Sequence, residues 1–288
     1  VRSGPLERAR EHIREYGLQD RIETRLSDGL HGLKTGEANG MICAGMGGPL
    51  MEKILTEGRE QAQGFAELIL QPQSEIPHFR TFLMDEGYLL LDENIIYEEG
   101  KYYFMMKVRW LGAMTDDAVR QKVGDSWKTE GLDPGLAEKF GPLLLSRRDR
   151  ILREYLEWML TERRQIVGRM EQKADADNPR TICRRQEIAD EITLITRALD
   201  WYDNGKEHSI NGDTKGRPDC FRKQRTRRSP QKGTQCPAEN RKGDKSCHIP
   251  FPDTLIRTAG KSKNLIGDAI GYQGALMCFH MPVDLLCQ

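Results

Sequence analysis

Two short stretches carry residue types whose spacing suits chemistry at a ligand crevice. The first is Met41-Ile42-Cys43-Ala44-Gly45-Met46-Gly47-Gly48-Pro49-Leu50. An apolar run ends in glycines, and Leu50, Met51, Ile54 and Leu55 follow at helical spacing. This reads as strand, tight turn, helix. Glycines at a strand's C-terminal end let a ligand approach the backbone closely, and the next helix offers free N–H groups. A plain βα turn without a ligand reads the same way. The second stretch is Ser27-Asp28-Gly29-Leu30, which closes the alternating run Arg21-Ile22-Glu23-Thr24-Arg25-Leu26. An Asp at a strand's C-terminal end lies where open α/β sheets bind ligands, and its carboxylate can accept from an adenine amino group or a ribose hydroxyl. Asp-Gly also makes an Asx turn or a helix N-cap with no ligand.

The elements that position these residues read as βα units up to about residue 111. A helix over residues 3–16 has Leu6, Ala9 and Ile13 on one face and stops at Gly17. A helix in this position calls for a strand before it, and none precedes it here. Strands are expected over 21–26, 40–44 and 67–73, the last stopping at Pro72. Helices are expected over 49–57 and 76–86, with Pro77 tolerated in a first turn. Residues 88–97 and 102–108 form two long strands joined by Glu98-Glu99-Gly100-Lys101, an antiparallel hairpin. The sheet is therefore mostly parallel with an antiparallel end.

Residues 111–132 are polar and read as a loop. Two long helical patterns follow, with Leu152, Tyr155, Met159, Ile166 and Met170 in 147–173, and Ile188, Ile192, Ile195, Leu199 and Tyr202 in 181–202. The turn 174–180 joins them into an antiparallel hairpin with a coiled-coil-like seam. Arg147, Arg148, Arg150, Arg153, Arg163, Arg164 and Arg169 lie on the first of these helices among four acids. Such a face is either solvated and laced with i,i+4 pairs or a surface for phosphates.

Over 288 residues, 44 Lys+Arg balance 44 Asp+Glu, so whole-chain charge argues neither for nor against nucleic acid. The seven cysteines are irregularly spaced, and no run approaches the ~20 apolar residues of a membrane helix. A reducing, cytoplasmic setting with free thiols is expected. From about residue 205 the periodicity vanishes around the basic stretch 221–228, Phe-Arg-Lys-Gln-Arg-Thr-Arg-Arg. This tail reads as a disordered RNA-binding arm or as foreign sequence. A zinc site on Cys220, Cys236, Cys247 and His248 lacks the usual Cys-x-x-Cys spacing.

Taken in order, strand–Asp-Gly, strand–Ala-Gly-Met-Gly-Gly, strand–Gln-Pro, hairpin and helical pair, the chain resembles the bacterial tRNA (adenine-22-N1)-methyltransferases over about residues 1–204. Its most specific pieces are Ser27-Asp28-Gly29-Leu30, Ala44-Gly45-Met46-Gly47-Gly48 and Leu70-Gln71-Pro72-Gln73, where the family has Asn in place of Gln73.

The resemblance implies a Rossmann-like class I methyltransferase domain over 1–112, a helical hairpin domain over 113–204 and a tail over 205–288 without counterpart. It implies S-adenosylmethionine as cofactor and a tRNA adenine N1 as acceptor, in a monomer with no metal and no membrane. Asp28, Gly29 and Leu30 would contact the cofactor's adenine side. Ala44, Gly45, Met46, Gly47 and Gly48 would form the floor beneath the sulfonium and the target base. Gln71, Pro72 and Gln73 would line the base side, with Arg147, Arg148 and Arg150 on the tRNA.

The family also carries two strands, a cofactor loop and an acidic residue ahead of the point where this chain opens, so no catalytic residue is assigned. The incomplete sheet is expected to leave the chain alone poorly stable and its methylation impaired. A non-catalytic RNA-binding protein and a methyltransferase for a protein or small molecule are the competing readings.

Overall fold

The computed structural model describes residues 3–172, 178–204 and 275–279. Helix α1 (Ser3–Glu15) comes first, and a 3-10 turn (Gly29–Gly32) follows. Strand β1 (Gly40–Met46) leads into α2 (Gly48–Glu57), whose first turn holds Pro49. A short α3 (Arg59–Gln63) precedes β2 (Glu67–Pro72) and α4 (Ile76–Asp85). The hairpin strands are β3 (Tyr88–Glu98) and β4 (Lys101–Trp110). Four helices follow: α5 (Asp117–Ser126), α6 (Pro134–Phe140), α7 (Pro142–Ser146) and α8 (Arg150–Glu171). The last helix is α9 (Pro179–Asn204), and β5 (Ala275–Phe279) ends the described residues.

The sheet order is β3-β4-β2-β1-β5. Strands β1 and β2 run parallel, with Met41 opposite Leu68 and Cys43 opposite Leu70. β4 pairs antiparallel with β2 on one side and with β3 on the other. The central strands are apolar on both faces because helices cover them. Met41, Leu68, Leu70, Met106 and Val108 are fully buried, with Met51, Phe79 and Leu83 packed on them.

Three expectations are corrected. First, residues 22–27 form no strand and pair with none among the described residues, and Leu26 is exposed. A strand needs an open ladder beside it, and both edges of β1 are taken, by β2 and by β5. Arg25 pins this segment from the side by ion pairs to Glu23 and Glu37. Second, β5 lies inside the tail expected to lack regular structure. It runs antiparallel to β1, Ala275 opposite Ala44 and Phe279 opposite Gly40, and gives that edge the backbone partners it would otherwise lack.

Third, the polar stretch 111–132 contains α5. Asp116 caps it by accepting from Ala118 N and Val119 N, and Val123 and Trp127 anchor it in the core under the sheet. Two anchors and a cap suffice to hold a short helix against a packed surface, where no long apolar periodicity is needed.

Helices α8 and α9 pack antiparallel. The pairs Arg163–Glu191 and Arg153–Asp203 cross between them in one register. Leu152, Leu156, Met159, Ile188, Ile195, Ala198 and Tyr202 are buried, and all but Ile188 lie in a second apolar cluster with Ile95 and Phe104 of the hairpin. Residues 173–177, in the expected turn between the helices, lie outside the described residues.

Candidate functional site

The turn after β1 and the turn after β2 are laced together at the C-terminal edge of the parallel pair. Gly45 takes φ +75, and the register between the strands shifts between Ala44 and Met46. Such a bulge turns the backbone out of the ladder, and a positive φ costs glycine nothing. The freed Gly45 N–H donates to Gln71 Oε1 at 2.8 Å, and Gln71 Nε2 donates to Pro72 O at 3.2 Å. Gln73 N donates to Met46 O at 2.8 Å, and Gly48 N to Ser74 O at 3.1 Å.

These bonds sort the residues of the motif. A Cβ on Gly48 would sit 2.8 Å from Ser74 O, so the backbone of the neighbouring turn requires glycine there, while one on Gly47 would sit 2.8 Å from Ser74 Oγ and displace that hydroxyl. Gln71 is 3% exposed and its amide is committed to the turn. Pro72 is buried opposite Met46, whereas Gln73 is exposed at the rim. Ala44 is buried, while Gly45 and Met46 are half-buried. The surface presented is backbone with little side chain over it.

Gly29 and Leu30 pack against α2 and the glycine that ends it. A Cβ on Gly29 (φ +55) would meet Ile54 of α2 at 3.4 Å, and Leu30 is buried against Gly58. Ile54 follows Gly48 by six residues, which is about 9 Å along the helix. Asp28 is exposed at the head of the 3-10 turn, where its side chain caps nothing. Its carbonyl accepts from His31 Nδ1 at 2.8 Å.

The three arginines differ from one another. Arg147 is tied to β3, by an ion pair to Asp92 at 2.5 Å and by donation to Glu93 O. Arg148 takes φ +50, with its guanidinium 5.5 Å from the ring centre of Trp201. Arg150 is 84% exposed, and Glu154 lies 3.6 Å from it across one helical turn.

One charged constellation gave no signal in the sequence. Arg80 and Glu93 form a buried ion pair, Nε to Oε1 at 3.0 Å, with 2% and 0% of their side chains exposed. Burial pushes the Glu93 carboxyl above the ordinary carboxylate range, while Arg80 pulls it down. Nearer the turn, His78 Nε2 of α4 lies 3.6 Å from Glu52 Oε2 of α2.

Among the described residues, no group of three His, Cys, Asp or Glu could hold a metal ion, and no helix is long and apolar enough to cross a membrane. Cys220, Cys236, Cys247 and His248 lie outside the described residues. Tested against S-adenosylmethionine, the glycine turn fits the sulfonium end, since a backbone floor lets the reacting atoms come close. The uncapped Asp28 carboxylate has the acceptor chemistry for an adenine amino group or ribose hydroxyl.

A family profile described as a methyltransferase domain matches residues 1–106. The tRNA (adenine(22)-N(1))-methyltransferase of Bacillus subtilis (strain 168) is 30% identical over 200 residues, covering 69% of this chain and 78% of its own. The crystal structure of the B. subtilis m1A22 tRNA methyltransferase TrmK superposes with a TM-score of 0.54 at 28% identity, over 69% of this chain and 79% of that one. Sp1610 of Streptococcus pneumoniae, a putative tRNA (m1A22) methyltransferase solved with S-adenosyl-L-methionine, gives 0.50 at 26% identity, over 69% and 78%.

Proposed function

This chain belongs to the tRNA (adenine(22)-N(1))-methyltransferase family, and from that premise we propose that it methylates N1 of an adenine in tRNA with S-adenosylmethionine as donor. The observation that carries the reading is the backbone floor Ala44–Gly48, held open by Gln71 at the end of the parallel pair. When bound, S-adenosylmethionine supplies an activated methyl on a positively charged sulfonium. What the protein must add is alignment, because in-line transfer depends on holding the acceptor nitrogen at near-attack distance.

N1 lies on the Watson–Crick edge of adenine, so the base must leave its pair or stack to reach the turn. The side-chain-poor surface at Gly45–Gly48 gives a flat base room to lie against it. Transfer leaves positive charge on the ring, and an acceptor for the exocyclic amine stabilises it. Gln73, exposed at the rim with its backbone fixed to Met46 O, holds its side-chain oxygen for that role. Asp28 accepts from the adenosine part of the cofactor, with Gly29 and Leu30 shaping its approach.

Arg150 contacts the tRNA backbone. Arg147 and Arg148, on the same corner, shape the surface around it. The protein acts as a cytoplasmic monomer.

Transfer of labelled methyl from S-adenosylmethionine to tRNA, protein and small-molecule acceptors in parallel tests the reading. Label confined to tRNA, with binding that weakens as salt rises, is the expected result. Label in protein or small molecules only, or tRNA binding without label, overturns it.

A further inference from the structure

The Arg80–Glu93 pair stands at the seam between the two apolar clusters. Phe79 beside Arg80 belongs to the sheet core, while Ile95 and Phe104 belong to the core of the helical hairpin. The Arg80 guanidinium lies 5.8 Å from the Phe104 ring centre. Its Nη1 donates to Glu138 O and Lys139 O, at 3.0 and 3.1 Å, in the last turn of α6. Glu93 Oε2 accepts from Leu143 N at 3.0 Å, in the first turn of α7. One ion pair thus caps the end of α6 and the start of α7, each with the charge that suits the helix dipole.

Between those helices Gly141 takes φ +99, and a Cβ there would lie 2.7 Å from both Glu93 carboxylate oxygens. Thr81 Oγ1 adds a bond to Glu138 Oε1 at 3.1 Å. The corner is gripped from both sides.

What the grip connects is the rim of the crevice and the root of the hairpin. Helix α4 opens at Ile76, directly after the Gln71–Glu75 turn, and Arg80 is one helical turn further on. Helix α7 runs through Arg147, Arg148 and Asp149 into α8. Apolar packing alone tolerates sliding, whereas charge-assisted bonds to fixed carbonyl and N–H groups specify one arrangement. The pair is also not an optimum for stability alone: Arg80 Nη2 is buried with no hydrogen-bond partner among the described residues.

We propose that Arg80 and Glu93 are positioning residues for methyl transfer. They set the angle of the α8–α9 hairpin against the crevice, so that tRNA held on the hairpin presents its base at the Gly45–Gly48 turn. This rests on the tRNA-methylation reading above.

The test uses the full chain with Arg80→Met and Glu93→Leu together, since apolar replacement of a whole buried pair is often neutral for stability. Affinities for S-adenosylmethionine and for tRNA should each stay within about threefold, while kcat at saturating tRNA falls about tenfold or more from misplacement of the base. Spin labels on unnatural residues at Lys53 of α2 and Ala189 of α9, both exposed, should show a broadened distance distribution.

A folded double variant with the kcat and the distance distribution of the parent overturns the proposal. If the double variant does not fold, Arg80→Lys takes its place, with lowered kcat and a broadened distribution expected and parental values for both overturning. If the parent chain transfers no methyl to tRNA, the function fails instead, and the distance distribution alone decides the positioning claim.

Discussion

Replacing Gln71 by Met tests how the glycine turn is held. Met has a similar length and volume, so the buried side chain keeps its packing and loses only its amide. Gln71 is 3% exposed, and its Oε1 is the acceptor that Gly45 N–H finds at 2.8 Å. Without it, a partly buried donor has no partner at a bulge that left the ladder, which costs about 1–3 kcal/mol. With a denaturant slope of about 2 kcal/mol/M, the urea midpoint should fall by roughly 0.5–1.5 M. In the proposed reaction the turn is the floor on which base and methyl align, so kcat/KM for tRNA should drop about tenfold for each 1.4 kcal/mol of alignment lost. Equilibrium unfolding by circular dichroism and a methyl-transfer time course measure the two effects. A Gln71→Met protein with the parental midpoint and the parental kcat/KM would refute the reasoning, because the amide would then hold nothing that matters.

Four further outcomes follow from the geometry. Gly141→Ala puts a Cβ 2.7 Å from the Glu93 oxygens at φ +99, so the unfolding midpoint should drop by the equivalent of about 2 kcal/mol or more; an unchanged midpoint would mean that the corner yields freely. Arg150→Ala should leave thermal stability alone and shift the log–log salt slope of tRNA binding by about one contact. Arg147→Ala should instead lower stability by about 1–2 kcal/mol, since its bonds to Asp92 and to Glu93 O tie α7 to β3. In acid, Arg25 holds the Glu37 carboxyl at about 2 against an ordinary 4.5. A depressed folded value means that the stabilisation is present above pH 4.5 and is lost as pH falls toward 2. Melting temperatures recorded across that window should therefore fall more steeply for the parent than for Glu37→Gln.

The strands of the parallel pair and the hairpin were legible because each is a short apolar or alternating run bounded by Gly, Pro or acidic turns. The glycine turn was legible for the same reason, down to the neighbouring Gln-Pro. The misses have one physical origin, which is that pairing and burial are decided by neighbours distant in the chain. The alternating run 21–26 has a strand pattern but no ladder, because β5 takes the second edge of β1. The five residues of β5 form a short apolar run, Ala275 to Phe279, whose partner strand lies more than two hundred residues earlier in the chain. Helix α5 depends on Val123 and Trp127 meeting the sheet, where Trp127 Nε1 donates to Tyr88 O at 2.8 Å. Arg147 looks like one member of an arginine-rich face, yet its bonds to Asp92 and Glu93 O cross more than fifty residues of chain. Gln71 is expected from the sequence to line the base side of the crevice, whereas its amide turns inward to Gly45, a property of the bulge and not of the sequence pattern.

The proposed role of the Ala44–Gly48 turn is to align adenine N1 for methylation. Its most direct test is nucleoside mass spectrometry on tRNA treated with the chain and S-adenosylmethionine, with primer-extension mapping of the modified position. The expected product is 1-methyladenosine at a single adenine, abolished when the Gly45–Gly48 floor is blocked by Gly45→Val. Methyl appearing on N6 or on another base, or 1-methyladenosine persisting at the parental rate in Gly45→Val, would contradict it.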